Sequence, residues 1–258
     1  MPHPVFEEEF HGFTFTEVSD LGRPRYLVVG VPDVGLVGSI AASHLVRALG
    51  LEYRVGVDSY TALPPVLVID KGNVMPPIRV YSKGDIAVLL SEIPLIPPVL
   101  PSFSAAIVEY ARSRGIEYII SATGIGNPQR IQEEKPALYW LASDREAALL
   151  AGSLRDAKIP QQGILVGAYA MILKEAVRKR VHNLVILVDA YIDLPDPEAA
   201  ARAVEAISSI TGVKVNVEEL LKEAELIRLR TKELMKETKS ALARLGKGLE
   251  YRAPVLYT

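Results

Sequence analysis

Two glycine-rich turns and a few carboxylates are the residues of this chain whose type and spacing could do chemistry. One turn reads Gly30-Val-Pro-Asp33-Val-Gly35-Leu-Val-Gly38, the other Ala122-Thr-Gly124-Ile-Gly126-Asn127-Pro128, and each follows an apolar run. Glycine where a strand enters a helix lets backbone N–H groups approach an anion. The spacing matches neither the dinucleotide fingerprint nor a phosphate loop, and no Gly-Lys-Ser or Gly-Lys-Thr is present. The structural reading is that these glycines permit a tight turn and close helix-to-sheet packing. Glu92, Asp189 and Tyr191 follow or end other apolar runs. If the sheet is parallel, all these ends gather on one edge, where α/β folds bind ligands. Gly30, Asp33, Gly35, Glu92, Gly124, Gly126, Asn127, Asp189 and Tyr191 then form a possible ligand cleft. Two carboxylates there could divide acid and base roles; on the other reading each residue caps or turns its own loop.

Other catalytic constellations are missing. His3, His11, His44 and His182 lack metal-ligand spacing, and no serine sits in a Gly-x-Ser-x-Gly elbow. With no cysteine there is no disulfide, thiolate metal site or cysteine nucleophile. No catalytic residue, metal or cofactor is therefore assigned. Lys and Arg number 29 against 31 Asp and Glu, which gives no positive excess to draw in a phosphate backbone. The one basic cluster, Lys174, Arg178, Lys179 and Arg180, closes a predicted helix and complements its dipole. The first residues carry acids where a signal peptide carries a basic region and an apolar run. The longest apolar stretches fall far short of the roughly 20 residues that span a bilayer. The expectation is a cytoplasmic protein with neither nucleic-acid nor membrane partners.

The elements that position these residues follow from hydrophobic pattern. Tyr26 to Val31, Val66 to Ile69, Ile86 to Leu90, Tyr118 to Ser121, Ile164 to Val166 and Leu184 to Val188 are continuous apolar runs, as strands buried on both faces require. Between them lie helix-length segments: Ser39 to Leu49 before Gly50, Phe103 to Arg114 between Ser102 and Gly115, and Glu198 to Thr211 between Asp196-Pro197 and Gly212. Ile78 to Tyr81, ending at Lys83-Gly84, reads as a hairpin or edge strand. Alternating strands and helices imply an α/β core over residues 1–215, mostly parallel and covered on both faces.

From Val217 to Leu245 apolar or small residues recur at spacings of three and four, with Asn216 and Glu219 as a cap and no Pro or Gly before Gly246. This predicts one long helix within 216–245, about 42 Å in length. It packs across its own domain or forms an arm for an oligomer or partner. Residues 246–258 are then a glycine-linked tail ending Leu256-Tyr257-Thr258.

Val28-Val-Gly-Val-Pro-Asp-Val-Gly-Leu-Val-Gly38, Gly124-Ile-Gly126-Asn-Pro128, Gly163-Ile-Leu-Val-Gly167 and Asp189-Ala-Tyr191 stand in an order and spacing that resembles the proteasome assembly chaperone 2 family, in its archaeal members. The resemblance covers about Glu17 to Leu245. It implies a three-layer, phosphorylase-like α/β core without established phosphorylase chemistry, and a fold likeness transfers no activity. It also gives the tail a meaning. Leu256-Tyr257-Thr258 matches the hydrophobic-tyrosine-any ending with which proteasome activators and assembly chaperones enter pockets between α-subunits. The implied partners are proteasome α-subunits or the core particle, engaged by a homo-oligomer. A phosphorylase-like or hydrolase-like enzyme, or a small-ligand-binding protein using the strand-end cleft, stands as the alternative.

Overall fold

The computed structural model describes residues 6–245. The strands are β1 Phe6–Phe10, β2 Phe13–Glu17, β3 Tyr26–Gly30, β4 Glu52–Asp58, β5 Val68–Asp70, β6 Asn73–Met75, β7 Ile78–Lys83, β8 Ile86–Ser91, β9 Tyr118–Gly126, β10 Leu138–Ala142, β11 Ala157–Lys158 and β12 His182–Ala190. The helices are α1 Val37–Ala48, α2 Leu100–Ser113, α3 Arg145–Leu150, α4 Ala168–Lys179, α5 Pro197–Thr211, α6 Glu218–Lys222, α7 Ala224–Arg230 and α8 Lys232–Leu245. Ten strands form one sheet in the order β1-β2-β4-β7-β8-β3-β9-β12-β10-β11, and β5 and β6 pair only with each other.

The apolar runs form strands because both faces of the sheet are covered. On β3, Val28 enters a core with Ile40 and Leu45 of α1 and Val204 and Ile207 of α5. Its neighbours Leu27 and Val29 enter a second core with Phe103 and Ile107 of α2 and Ile172 of α4. Each such side chain contributes about 1.5–3 kcal/mol when fully buried, so a strand alternating between two cores needs no polar residue. Helices on both faces thus fit the expected layering.

The expected mostly parallel sheet is corrected. Only β8, β3, β9 and β12 run parallel as a central block. The sheet is mostly antiparallel: five of its nine pairings are of that kind, against four parallel. Tight turns account for two of the antiparallel pairs, β1–β2 and β7–β8, while the helical crossovers that parallel neighbours require lead through α2 and α4 into β9 and β12 of the central block. His11 and Gly12 have φ of 50° and 81° and close the β1–β2 hairpin, as a two-residue turn with both centres left-handed does. Gly84, at φ 62°, lies in the β7–β8 turn, where the Lys83-Gly84 signal placed a hairpin.

Two runs do not become buried strands. Pro64 and Pro65 precede the run over Val66 to Ile69, and Lys71 and Gly72 fold it back at φ 49° and 82°. It becomes part of the small β5–β6 hairpin, with Leu67 and Ile69 63% and 76% exposed. Ile164 to Val166 is irregular chain leading into α4, whose N-cap Gly167 has φ 104°.

The single long helix expected over 216–245 is instead three helices, α6, α7 and α8, with interruptions at Glu223 and Thr231. Backbone bonds of the i to i−4 kind still cross both joints, from Ile227 N to Glu223 O (2.9 Å) and from Met235 N to Thr231 O (2.9 Å). The path bends rather than breaks. Thr231 Oγ1 and Thr238 Oγ1 donate back to Ile227 O (2.7 Å) and Leu234 O (2.6 Å), a contact that bends helices. The bend lets Leu220, Met235 and Leu242 all reach the α1/α5 core. Among the described residues no helix is long and apolar enough to cross a membrane.

Candidate functional site

The first glycine turn is filled by the protein itself. Val34, Gly35 and Leu36 are buried, and Gly35 takes φ 61°. A Cβ at Gly38 would lie 2.3 Å from Ala122 O and 2.4 Å from Tyr169 Oη, and one at Gly124 would lie 2.4 Å from Val34 O. These positions hold α1 and the turn directly against β9. The Tyr169 hydroxyl accepts from Val31 N (2.9 Å) and donates to Val31 O (3.1 Å). Asp33 accepts from Val34 N (2.9 Å) and Thr123 Oγ1 (2.9 Å). Burial first, and the Asp33 charge second, push the Tyr169 phenol well above its ordinary range.

The expected cleft residues do not converge on one cavity. Over Asp33, the α8 residues Thr238, Ala241 and Leu242 leave a space of only about 10 Å³, at the lower limit for a water. Glu92 lines a different cleft and is paired with buried Arg79, whose Nε also donates to Tyr81 Oη (2.8 Å). Asp189, Asn127 and Tyr191 stand at a third place, where β9 and β12 end side by side.

That third place carries the richest polar network. Asn127 Nδ2 donates both to Asp189 Oδ2 (3.1 Å) and to Glu133 Oε1 (3.0 Å), so one amide bridges two carboxylates. Glu133 Oε2 is buried without a hydrogen-bond partner. Burial, with the Glu133 charge beside it, raises the Asp189 carboxyl from 3.8 to about 6, against the Asn127 hydrogen bond. The Tyr139 phenol is raised by burial and then by the Asp189 and Glu133 charges. Next to it, Arg130 grips Asp196 with Nε to Oδ2 (2.9 Å) and Nη2 to Oδ1 (3.2 Å). Both side chains are buried, at 4% and 0% exposure. Asp196 also accepts from Tyr191 N (3.2 Å) and Ala199 N (3.0 Å), and the guanidinium lies 5.1 Å from the Tyr191 ring centroid.

Sequence reasoning assigned Asp196 only to a helix cap and did not single out Arg130, Glu133, Thr123 or Tyr139. Nothing local marks them: Arg130 and Asp196 are 66 residues apart. Chemically, the Asp189–Asn127–Glu133 set can hold and release a proton near neutrality. Among the described residues no group of three or more His, Asp or Glu side chains could hold a metal ion. Leu256, Tyr257 and Thr258 lie outside the described residues.

The Asp189 shift has a measurable consequence. A carboxyl whose folded value exceeds its unfolded value binds its proton more tightly when folded, so its contribution is present below about pH 4 and lost as pH rises through about 6. Replacing Asp189 with Asn keeps an oxygen to accept from Asn127 and removes the titration. We expect this variant to be more stable than the parent above pH 6, by about 1–3 kcal/mol. Urea unfolding at pH 4.5 and 7.5 checks it; an equal parent-to-variant difference at both values would refute the assignment.

This is a mixed α/β sheet whose turn glycines and strand-end acids are mostly internal structure. The PAC2 family model matches residues 27–235, and the chain belongs to the PAC2 family. Pyrococcus furiosus PbaA, an archaeal homolog of proteasome-assembly chaperone, is 30% identical with a TM-score of 0.81, over 89% of this chain and 99% of PbaA. Pyrococcus furiosus PbaB, an archaeal proteasome activator, has a TM-score of 0.73 at 17% identity, over 87% of this chain and 99% of PbaB, a likeness of fold alone. The uncharacterized protein MJ0106 of Methanocaldococcus jannaschii is 25% identical over 211 residues, 82% of this chain and 85% of that protein.

Proposed function

We propose that this chain is a proteasome-assembly-chaperone-like protein that binds proteasome α-subunits or the assembled α-ring and docks through Leu256, Tyr257 and Thr258. The observation that carries the reading is the 30% identity to PbaA over 89% of the chain. The hydrophobic-tyrosine-any sequence of the tail supports the docking mode. Tyr257 lays its ring in a groove and offers its hydroxyl to a polar edge, while Leu256 fills an apolar recess. Burying one leucine contributes about 1.5–3 kcal/mol before the ordering of the tail is subtracted. One tail is therefore weak, and a homo-oligomer presenting several raises avidity by about 10²–10⁴. Exposed Leu67, Ile69 and Val74 on the β5–β6 hairpin are apolar surface of the kind an oligomer covers.

The test is capture of purified archaeal core particle and of free α-subunits by the full chain and by a chain ending at Val255. Capture that disappears on truncation while the circular dichroism spectrum is unchanged is the expected result. Preference for free subunits marks a chaperone and preference for assembled particles an activator. Equal capture by both chains would sink the tail model, and no capture by either would sink the proteasome reading.

A further inference from the structure

A hollow whose lining combines apolar and charged groups lies away from the Asp189 network, between α1, the end of β8 and the bent C-terminal helices. It measures about 430 Å³, within the size of small-molecule sites. Its apolar surface comes from Leu36 and Ile40 on one side, Leu90 beneath, and Ile227 and Leu234 opposite. A filled core would not leave such a space, and the bends at Glu223 and Thr231 shape one wall of it.

The polar lining is asymmetric in charge. Arg230 lines the cleft and has no ion pair or hydrogen bond among the described residues. Arg47, also lining it, reaches its nearest carboxylate, Glu223, only at 3.9 Å. The one carboxylate in the lining, Glu92, is already neutralised by buried Arg79. Arg230 thus has no answering anion, and Arg47 has only the long contact to Glu223. Ser39, 6% exposed, lines the same cleft with an Oγ that is buried and unpartnered, whereas buried polar atoms ordinarily have a partner. His44 Nε2 is held by Asn216 O at 2.8 Å, which fixes the ring at the cleft wall.

We propose that this cleft binds a small amphiphilic carboxylate, with its apolar body against Ile40, Leu90, Ile227 and Leu234 and its carboxylate between Arg47 and Arg230. The apolar lining selects a hydrocarbon chain or ring over a sugar or a nucleotide, which would bury hydroxyls without partners. The two guanidiniums select an anionic head over a neutral or cationic one. This goes beyond the proteasome reading and does not depend on it: the cleft is formed by residues 36–234, far in sequence from the tail.

Isothermal titration of the full chain with decanoate, kept below its micelle concentration, tests the site, with decan-1-ol as the neutral-head control. We expect saturable one-to-one binding of decanoate and binding of decan-1-ol at least tenfold weaker. Arg230→Gln, an exposed change that leaves the fold alone, weakens decanoate at least tenfold and decan-1-ol hardly at all. Ile227→Trp fills the cleft and abolishes both; should that variant unfold, Arg47→Gln serves as the second, with the same head-selective loss as Arg230→Gln. Absence of saturable decanoate binding, equal affinity for the two heads, or indifference to both arginine substitutions would overturn the proposal.

Discussion

Replacing Asp196 with alanine is expected to destabilise the protein by about 3–5 kcal/mol, the range found when one partner of a buried ion pair is removed. The carboxylate holds four donors in a region with no solvent: two from Arg130, one from Tyr191 N and one from Ala199 N. Alanine leaves the 4% exposed guanidinium without its counter-charge. It also removes the N-cap of α5, itself worth about 0.5–2 kcal/mol. Burial raises the Asp196 carboxyl, and the Ala199 N–H and Arg130 oppose that rise, so the carboxylate depends on those same partners. Urea unfolding monitored by circular dichroism reads the loss. Arg130→Met combined with Asp196→Asn is expected to recover a substantial part of it, because no uncompensated charge is then buried. If Asp196→Ala unfolds within 1 kcal/mol of the parent, the pair is not the clamp that its geometry describes.

The four donors on Asp196 explain why this clamp was only partly legible in the sequence. Asp196-Pro197 with Gly212 marks a helix start and stop, and α5 runs Pro197–Thr211 as that signal requires. Capping is local chemistry and shows in local sequence. The partner Arg130 sits beyond β9 at the start of a short 3-10 turn, and only the side-by-side pairing of β9 and β12 brings the two together. The central strands were legible because burial on both faces writes a continuous apolar run. Strand direction was not, because a run reads the same whether its neighbour is parallel or antiparallel. The β1–β2 hairpin does carry a local signal, in the alternation of Phe13-Thr-Phe-Thr-Glu17 and the His11-Gly12 turn.

The heptad seam after Val217 shows a different limit. Spacing identifies which residues face inward, and Leu220, Met235 and Leu242 do reach a core. It does not say whether the helix stays straight. The segment bends at Glu223 and Thr231, with α8 lying over Asp33 and the cleft beside Arg230 left open. The C-terminal helices therefore decide where a ligand can enter. α8 covers the end of β3 at Asp33, and the bent helices leave room beside Arg230.

Gly38→Ala is expected to be strongly destabilising for a single added methyl. In an exposed helix the change would stabilise by about 1 kcal/mol, since alanine is the better helix former. Here the added Cβ meets Ala122 O at 2.3 Å and Tyr169 Oη at 2.4 Å. The first is the backbone of a central strand and the second a fully buried hydroxyl held to Val31, so neither can yield cheaply. Ordinary contact requires α1 to move about 1 Å off the sheet, which opens the α1/α5 core. Overpacking of this kind costs about 1–3 kcal/mol when neighbours can shift and more when they cannot, so the net loss should be at least 3 kcal/mol. Gly163→Ala, where no atom lies within 4 Å, is the control and should stay within about 0.5 kcal/mol of the parent. Thermal unfolding of the three proteins side by side separates the outcomes. A Gly38→Ala chain as stable as the control would mean that the turn has room to spare, and with it room for an anion at its backbone N–H groups.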